Sequence, residues 1–174
     1  PCWCGCAVQD GGGVTADCCS RRRGTARLVV TVLRGWGWWG DHFSKPDVYV
    51  RVEFGGGGGR ARTDTVWNAG RPRWDAILDL GTVELGPGKN LKVEVWDEDN
   101  RWDDDFLGSC QVEVVAGGDG RHVVCYPGGG HLELRYRVTC GPALGGEFCL
   151  DYVAQPPARD GVFYTTTDWE WPMG

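Results

Sequence analysis

The chain has 174 residues, enough for one domain of ordinary size with extra length at either end, and its 29 glycines and 9 prolines against a 41% hydrophobic content mark many turns between short elements rather than long amphipathic helices. No run approaches the roughly 20 apolar residues that span a bilayer, so a membrane role is expected to be peripheral, and Pro1 to Cys4 carry neither the basic nor the apolar region of a signal peptide. The net charge of −6 is local: Asp41, Asp47, Asp97, Glu98, Asp99, Asp103, Asp104 and Asp105 are eight of the 24 acids, only Lys45 and Arg101 lie among them, and the remaining charges cancel, which disfavours nucleic acid as a partner.

Residues 1–23 hold Cys2, Cys4, Cys6, Cys18 and Cys19, end in the basic run Arg21 to Arg23 and show no hydrophobic periodicity, which predicts a separate disulfide-stapled piece. Nine cysteines in so short a chain point to an oxidising, extracellular or luminal compartment, and the odd count fits the carboxyl-terminal part of something larger. A zinc or copper site built from the first five as thiolates is the weaker reading in such a compartment.

From Ala26 the chain alternates. Leu28, Val30 and Val32 mark a first strand, and Val48, Val50, Val52 and Phe54 a second. The glycine run 55–59 turns into a third over Arg60 to Trp67, and Trp74 to Leu80 make a fourth. Leu91, Val93 and Val95 mark the fifth, Phe106 to Glu113 the sixth, His122 to Cys125 the seventh and Leu132 to Val138 the eighth. Eight short strands between Gly, Pro and Asp turns predict an all-β, antiparallel eight-stranded sandwich. Beyond Cys149 the alternation stops, and residues 154–174 read as an irregular tail.

If successive strands run up and down, the first-to-second, third-to-fourth and fifth-to-sixth connections emerge at one end. The acids at Asp41-x5-Asp47 and Asp97-x-Asp99-x5-Asp105 then share one rim, where they would repel one another without a counterion. Hard oxygen donors without matching Cys or His favour Ca²⁺ over Mg²⁺, at two or more ions, held weakly in the range of about 10⁻⁴ to 10⁻³ M. Crowding also predicts raised carboxyl pKa values, so that protons compete with the ion.

Trp39, Phe43 and Trp102 lie among these acids in loops and suit a membrane interface, whereas Trp36 and Trp38 are open between loop packing and membrane contact. Trp67, Trp74 and Trp96 follow strand spacing and are expected in the core. His42, His122 and His131 are scattered, and no nucleophile and base arrangement stands out, so the chain is not expected to be an enzyme.

A sandwich with D-x5-D in one loop and D-x-D-x5-D in another resembles the Ca²⁺-dependent C2 domain. More closely, Trp39-Gly40-Asp41, Asp47-Val48-Tyr49-Val50, Val66-Trp67-Asn68, Pro72-Arg73-Trp74, Val95-Trp96-Asp97, Trp102-Asp103-Asp104-Asp105-Phe106-Leu107-Gly108-Ser109-Cys110, Gly130-His131 and Cys149-Leu150-Asp151-Tyr152 resemble the carboxyl-terminal region of the perforin family over roughly residues 1–157. The resemblance implies a C2 domain of type II topology over 24–153, preceded by the end of an EGF-like module over 1–23. It implies Asp41, Asp47, Asp97, Asp99 and Asp105 as Ca²⁺ ligands with Asp103 and Asp104 as additions, Trp39 and Trp102 as membrane-contacting residues, and disulfides Cys110–Cys125 and Cys140–Cys149. The chain departs from the family at His42 and Asn100, where aromatic residues can stand; His42 and Phe43 are kept as membrane-contacting candidates.

The function this implies is Ca²⁺-dependent binding to phospholipid membranes by a secreted, granule-stored, pore-forming immune effector that acts in cytolysis at a target cell. Its pore-forming domain, and any self-association, would lie outside this chain. The alternative is a Ca²⁺-stabilised protein-interaction module of a secreted protein.

Overall fold

The computed structural model describes residues 22–40, 44–55, 59–99 and 103–153. Alternation becomes two layers. Strands β1 (Thr25–Trp36), β2 (Val48–Phe54), β3 (Arg60–Arg62), β4 (Arg73–Glu84), β5 (Asn90–Asp97), β6 (Asp105–Glu113), β7 (Arg121–Cys125) and β8 (His131–Cys140) form two four-stranded sheets, ordered β4-β1-β8-β7 and β3-β2-β5-β6, with every pairing antiparallel. Their inward faces meet through Ala26, Leu28, Val30 and Val32 of β1, Leu132, Leu134 and Tyr136 of β8, and Val48, Val50, Val52, Phe54, Leu91, Val93 and Val95 of the opposing sheet, all buried. Side chains on the intervening positions face out, as a period of two requires.

The expected eight strands are present, with a short extra ladder of β9 (Leu144–Gly145) and β10 (Asp151–Tyr152). That extension folds back on the start of β1: Gly24 N–H donates to the Cys149 carbonyl at 2.7 Å, and Gly141 N–H donates to Thr25 O at 2.8 Å. Disulfides Cys110–Cys125 and Cys140–Cys149, the two pairs the resemblance implied, join β6 to β7 and tie the extension to β8. Among the described residues no helix is long and apolar enough to cross a membrane.

Three expectations are corrected. The third strand stops at Arg62 because Thr63, 2% exposed, turns the chain: its hydroxyl accepts the Val50 N–H at 3.0 Å and donates to Asp64 O at 2.8 Å. Val66 then makes a single bridge to Val48, and Trp67, expected in the core, stands 52% exposed. Trp96 likewise lies outside the core, half-buried on the outer face of its sheet, edge-on to Phe106 and under the Arg51 guanidinium. Trp74 does pack against the core, with its indole N–H donating to Val48 O at 3.2 Å.

Trp38 resolves to packing. It is 5% exposed, and its Nε1 donates to the Pro127 carbonyl at 2.8 Å. Its ring fills the space that side chains at Gly35 and Gly130 would occupy, so those two positions must lack a Cβ for β1, the 37–47 connection and the 126–130 turn to close on one another. Truncating Trp38→Ala is therefore expected to cost about 3–5 kcal/mol, measured as a lower urea midpoint. On the outer face, the Arg34 guanidinium holds the Glu133 carboxyl below its usual range. A depressed carboxyl stabilises the fold above its unfolded value and loses that contribution as pH falls through the folded one. In Arg34→Ala, an NMR titration of the Glu133 carboxyl carbon should show its midpoint rising to the ordinary carboxylate range.

Candidate functional site at the acidic end of the sandwich

Antiparallel pairing fixes which connections share an end. The end of β1 lies opposite the start of β8, with Trp36 paired to His131, and the start of β2 lies opposite the end of β5, with Val48 paired to Asp97. Asp97 in turn faces Asp105, the first residue of β6. The connections 37–47, 63–72, 98–104 and 126–130 therefore all emerge together. A register slip between Val95 and Trp96, opposite Gly108 and Phe106, bulges Leu107 and increases the local twist beside Asp105.

Backbone donors bind these connections to one another. The Asp47 N–H donates to Asp97 Oδ1 at 2.8 Å, the Glu98 N–H to Asp47 O at 2.7 Å, the Asn68 N–H to Asp47 Oδ1 at 2.6 Å, and the Ala69 N–H to Pro46 O at 3.1 Å. The first and third of these end on ionised carboxylates, and such hydrogen bonds are stronger than neutral ones, so those two offset part of the repulsion among the acids. Asn68 was not among the expected site residues; its φ of +50° is the left-handed region that Asn tolerates, and this turns its N–H onto Asp47.

Of the seven acids expected to bind metal, the structure gathers Asp47, Asp97, Asp99, Asp103, Asp104 and Asp105 at this end. Asp47, Asp97 and Asp104 are half-buried, and Asp99, Asp103 and Asp105 exposed. Asp41 lies outside the described residues, as do the membrane-contacting candidates His42, Phe43 and Trp102. Among the described residues, no three His, Cys, Asp or Glu side chains are arranged to hold a metal ion.

Asp104 has a distinct position. Its Oδ2 accepts the Tyr49 hydroxyl at 2.6 Å and its Oδ1 accepts the Asp99 N–H at 3.1 Å, so the carboxylate spans the foot of the 98–104 connection. Tyr49 is 1% exposed, and the Arg62 guanidinium sits 3.6 Å over its ring while also reaching Thr63 O, Thr65 Oγ1 and Glu98 Oε1. Crowding among acids predicted a raised pKa; for Asp104 the direction is the reverse, because the Tyr49 hydrogen bond favours the carboxylate more than desolvation opposes it. The same bond acts on its donor: burial first, then Asp104, push the Tyr49 phenol up to about 12.

The aromatic residues divide. Trp39 is 66% exposed at this end, whereas Trp36 stacks on His131 with ring centroids 3.9 Å apart and has the Arg71 guanidinium 5.1 Å from its ring.

The model of the C2 domain family matches residues 26–124, more than half of the chain. The chain belongs to the C2 domain family. Over 152 residues, 87% of this chain, it is 46% identical to human Perforin-1 and 41% identical to rat Perforin-1, and it spans 27% of the length of each. Those relatives support reading the chain as a perforin carboxyl-terminal C2 region. Among solved structures, a chain described as a C2 domain superposes with a TM-score of 0.53 at 28% identity, covering 66% of this chain and 98% of that one. Human GIVD cytosolic phospholipase A2 superposes with a TM-score of 0.59 at 20% identity over 68% of this chain and 18% of its own, a likeness of fold alone.

The Tyr49–Asp104 bond makes a prediction at both ends of the pH scale. A phenol raised above its ordinary 10.0 stabilises the fold fully below that value and loses the contribution as pH climbs through about 12. The lowered Asp104 carboxyl contributes above the usual carboxylate range and loses it as pH falls through its folded value. Tyr49→Phe should lower unfolding free energy by about 1 kcal/mol at neutral pH, remove the phenolate that forms at about 12 from an ultraviolet titration, and show a stability deficit that narrows as pH falls through the folded Asp104 value.

Proposed function

We propose that this chain is the Ca²⁺-dependent membrane-docking domain of a perforin-like protein, which brings a pore-forming partner domain to phospholipid surfaces. The observation that carries this reading is the convergence of Asp47, Asp97 and Asp105 at one end of the sandwich, beside the exposed Trp39. The donor set fits the ion, since carboxylate oxygens are the hard ligands that Ca²⁺ takes. Asp41, Asp47, Asp97, Asp99, Asp103 and Asp105 would hold it, while Asp104 braces the loop. Ca²⁺, when bound, supplies positive charge that offsets the carboxylates and open coordination positions that phosphate oxygens can fill.

The chain's own residues do the rest. The backbone N–H groups of Asp47, Asn68 and Asp99 hold carboxylates in place before any ion arrives, so less ordering is required on binding. Without a counterion the carboxylates repel acidic headgroups. With their charge offset, indole rings at the rim partition into the interface, where an apolar ring and a wet N–H are both satisfied. Trp39, Phe43 and Trp102 are assigned this role, with His42 beside them.

On this reading residues 1–23 end an EGF-like module, 24–153 form the docking domain and 154–174 a tail. The whole protein would be secreted, stored in cytolytic granules and active at the target membrane, with no catalytic step in this domain. Self-association would depend on the pore-forming domain.

The test is cosedimentation of the chain with phosphatidylcholine vesicles across a Ca²⁺ titration, with Asp97→Asn and Asp105→Asn beside it. Binding should require Ca²⁺ and fall by about tenfold or more in the variants. Ca²⁺ binding by calorimetry with no vesicle binding would instead support a Ca²⁺-stabilised protein-interaction module.

A further inference from the structure

Besides Trp39, two exposed aromatic side chains lie at the same end on connections not assigned any contact with lipid. Trp67, 52% exposed, stands on the 63–72 connection one residue before Asn68, whose N–H grips Asp47. Tyr126, 67% exposed, opens the 126–130 connection. Neither is loosely placed. The Trp67 stretch is fastened on both sides, by the Val66–Val48 bridge and by Ala69 N–H to Pro46 O. The Tyr126 ring packs edge-on to His131, 5.6 Å between centroids, and His131 stacks on Trp36; the next residue, Pro127, accepts the Trp38 indole N–H.

Exposed rings on immobilised turns are unfavourable in water and favourable at a lipid interface, where Trp and Tyr concentrate. Both stand at the acidic end, on separate connections. We propose that Trp67 and Tyr126 are further membrane-contacting side chains, so that the domain seats on phospholipid through all four connections at its acidic end rather than through the two that carry the aspartates. This rests on the docking function proposed above.

The experiment compares the wild-type chain with Trp67→Ser, Tyr126→Ser, the double variant and an Ile77→Ser control. Ile77 is 72% exposed but sits mid-strand, opposite Thr31 on the outer face of its sheet. Each chain is titrated onto phosphatidylcholine vesicles at saturating Ca²⁺, with Ca²⁺ affinity measured separately by calorimetry without lipid and thermal midpoints by circular dichroism. Each rim substitution should lower the vesicle partition coefficient by about fivefold to tenfold, and the double variant by about the product, as expected from removing part of an aromatic side chain's apolar contact. Ca²⁺ affinity and thermal midpoints should be unchanged, and Ile77→Ser should bind as wild type does. Wild-type binding with undiminished binding of the double variant would overturn this proposal and leave the docking function standing. No Ca²⁺-dependent binding of the wild type would overturn both. Loss of Ca²⁺ affinity in Trp67→Ser would replace membrane contact with a positioning role for that residue.

Discussion

Like charges crowded at one end of a β-sandwich are the constraint around which this domain is built. Carboxylates that close cannot be left to solvent and chance; each one the fold half-buries is given a donor. Asp47 and Asp97 receive backbone N–H groups, and Asp104 receives the Tyr49 hydroxyl and the Asp99 N–H. The donors are neutral, which matters. A lysine or arginine at the same points would cancel the charge permanently and leave nothing for a cation to offset. Arg62 satisfies this condition by standing behind Tyr49 and reaching the carbonyl of Thr63, the hydroxyl of Thr65 and Glu98 instead of the rim aspartates.

Strand parity makes that crowding possible. Because every pairing is antiparallel, alternate connections return to the same end, and residues 50 apart, Asp47 and Asp97, come within one hydrogen bond of each other. The opposite end carries the structural fastenings: the Cys140–Cys149 disulfide, the β9–β10 ladder and the Gly24 and Gly141 bonds. At the acidic end the fastenings are instead the Trp38 ring packed against Gly35 and Gly130 and the Cys110–Cys125 disulfide just before the 126–130 connection.

The period-two alternation of Val48 to Phe54 or Leu132 to Val138 made the strands legible, since a half-buried strand leaves no other pattern, and parity then brought the aspartates together without knowledge of which sheet each strand joined. What alternation does not encode is where pairing stops. Residues 60–67 continue as a strand by composition, but Thr63 satisfies the Val50 backbone with its own hydroxyl and ends the ladder, which moves Trp67 from the expected core to the surface. Trp96 failed for a different reason: alternation says that a residue faces one side, not which side is covered. Asn68 and the brace on Asp104 were invisible because their partners lie 21 and 55 residues away and depend on turn geometry, which leaves no local signature.

The two kinds of tryptophan at this end show how the acidic rim can be both rigid and exposed. Trp38 is spent on packing: its ring lies against Gly35 and Gly130 and its N–H is satisfied by Pro127, so it locks the first connection to the last. Trp39, next in sequence, points the other way and keeps 66% of its surface. One aromatic ring is buried and the next in sequence is presented at the surface. The residue that fixes the loop and the residue that leaves it are adjacent, and the packing of the first holds the backbone from which the second projects.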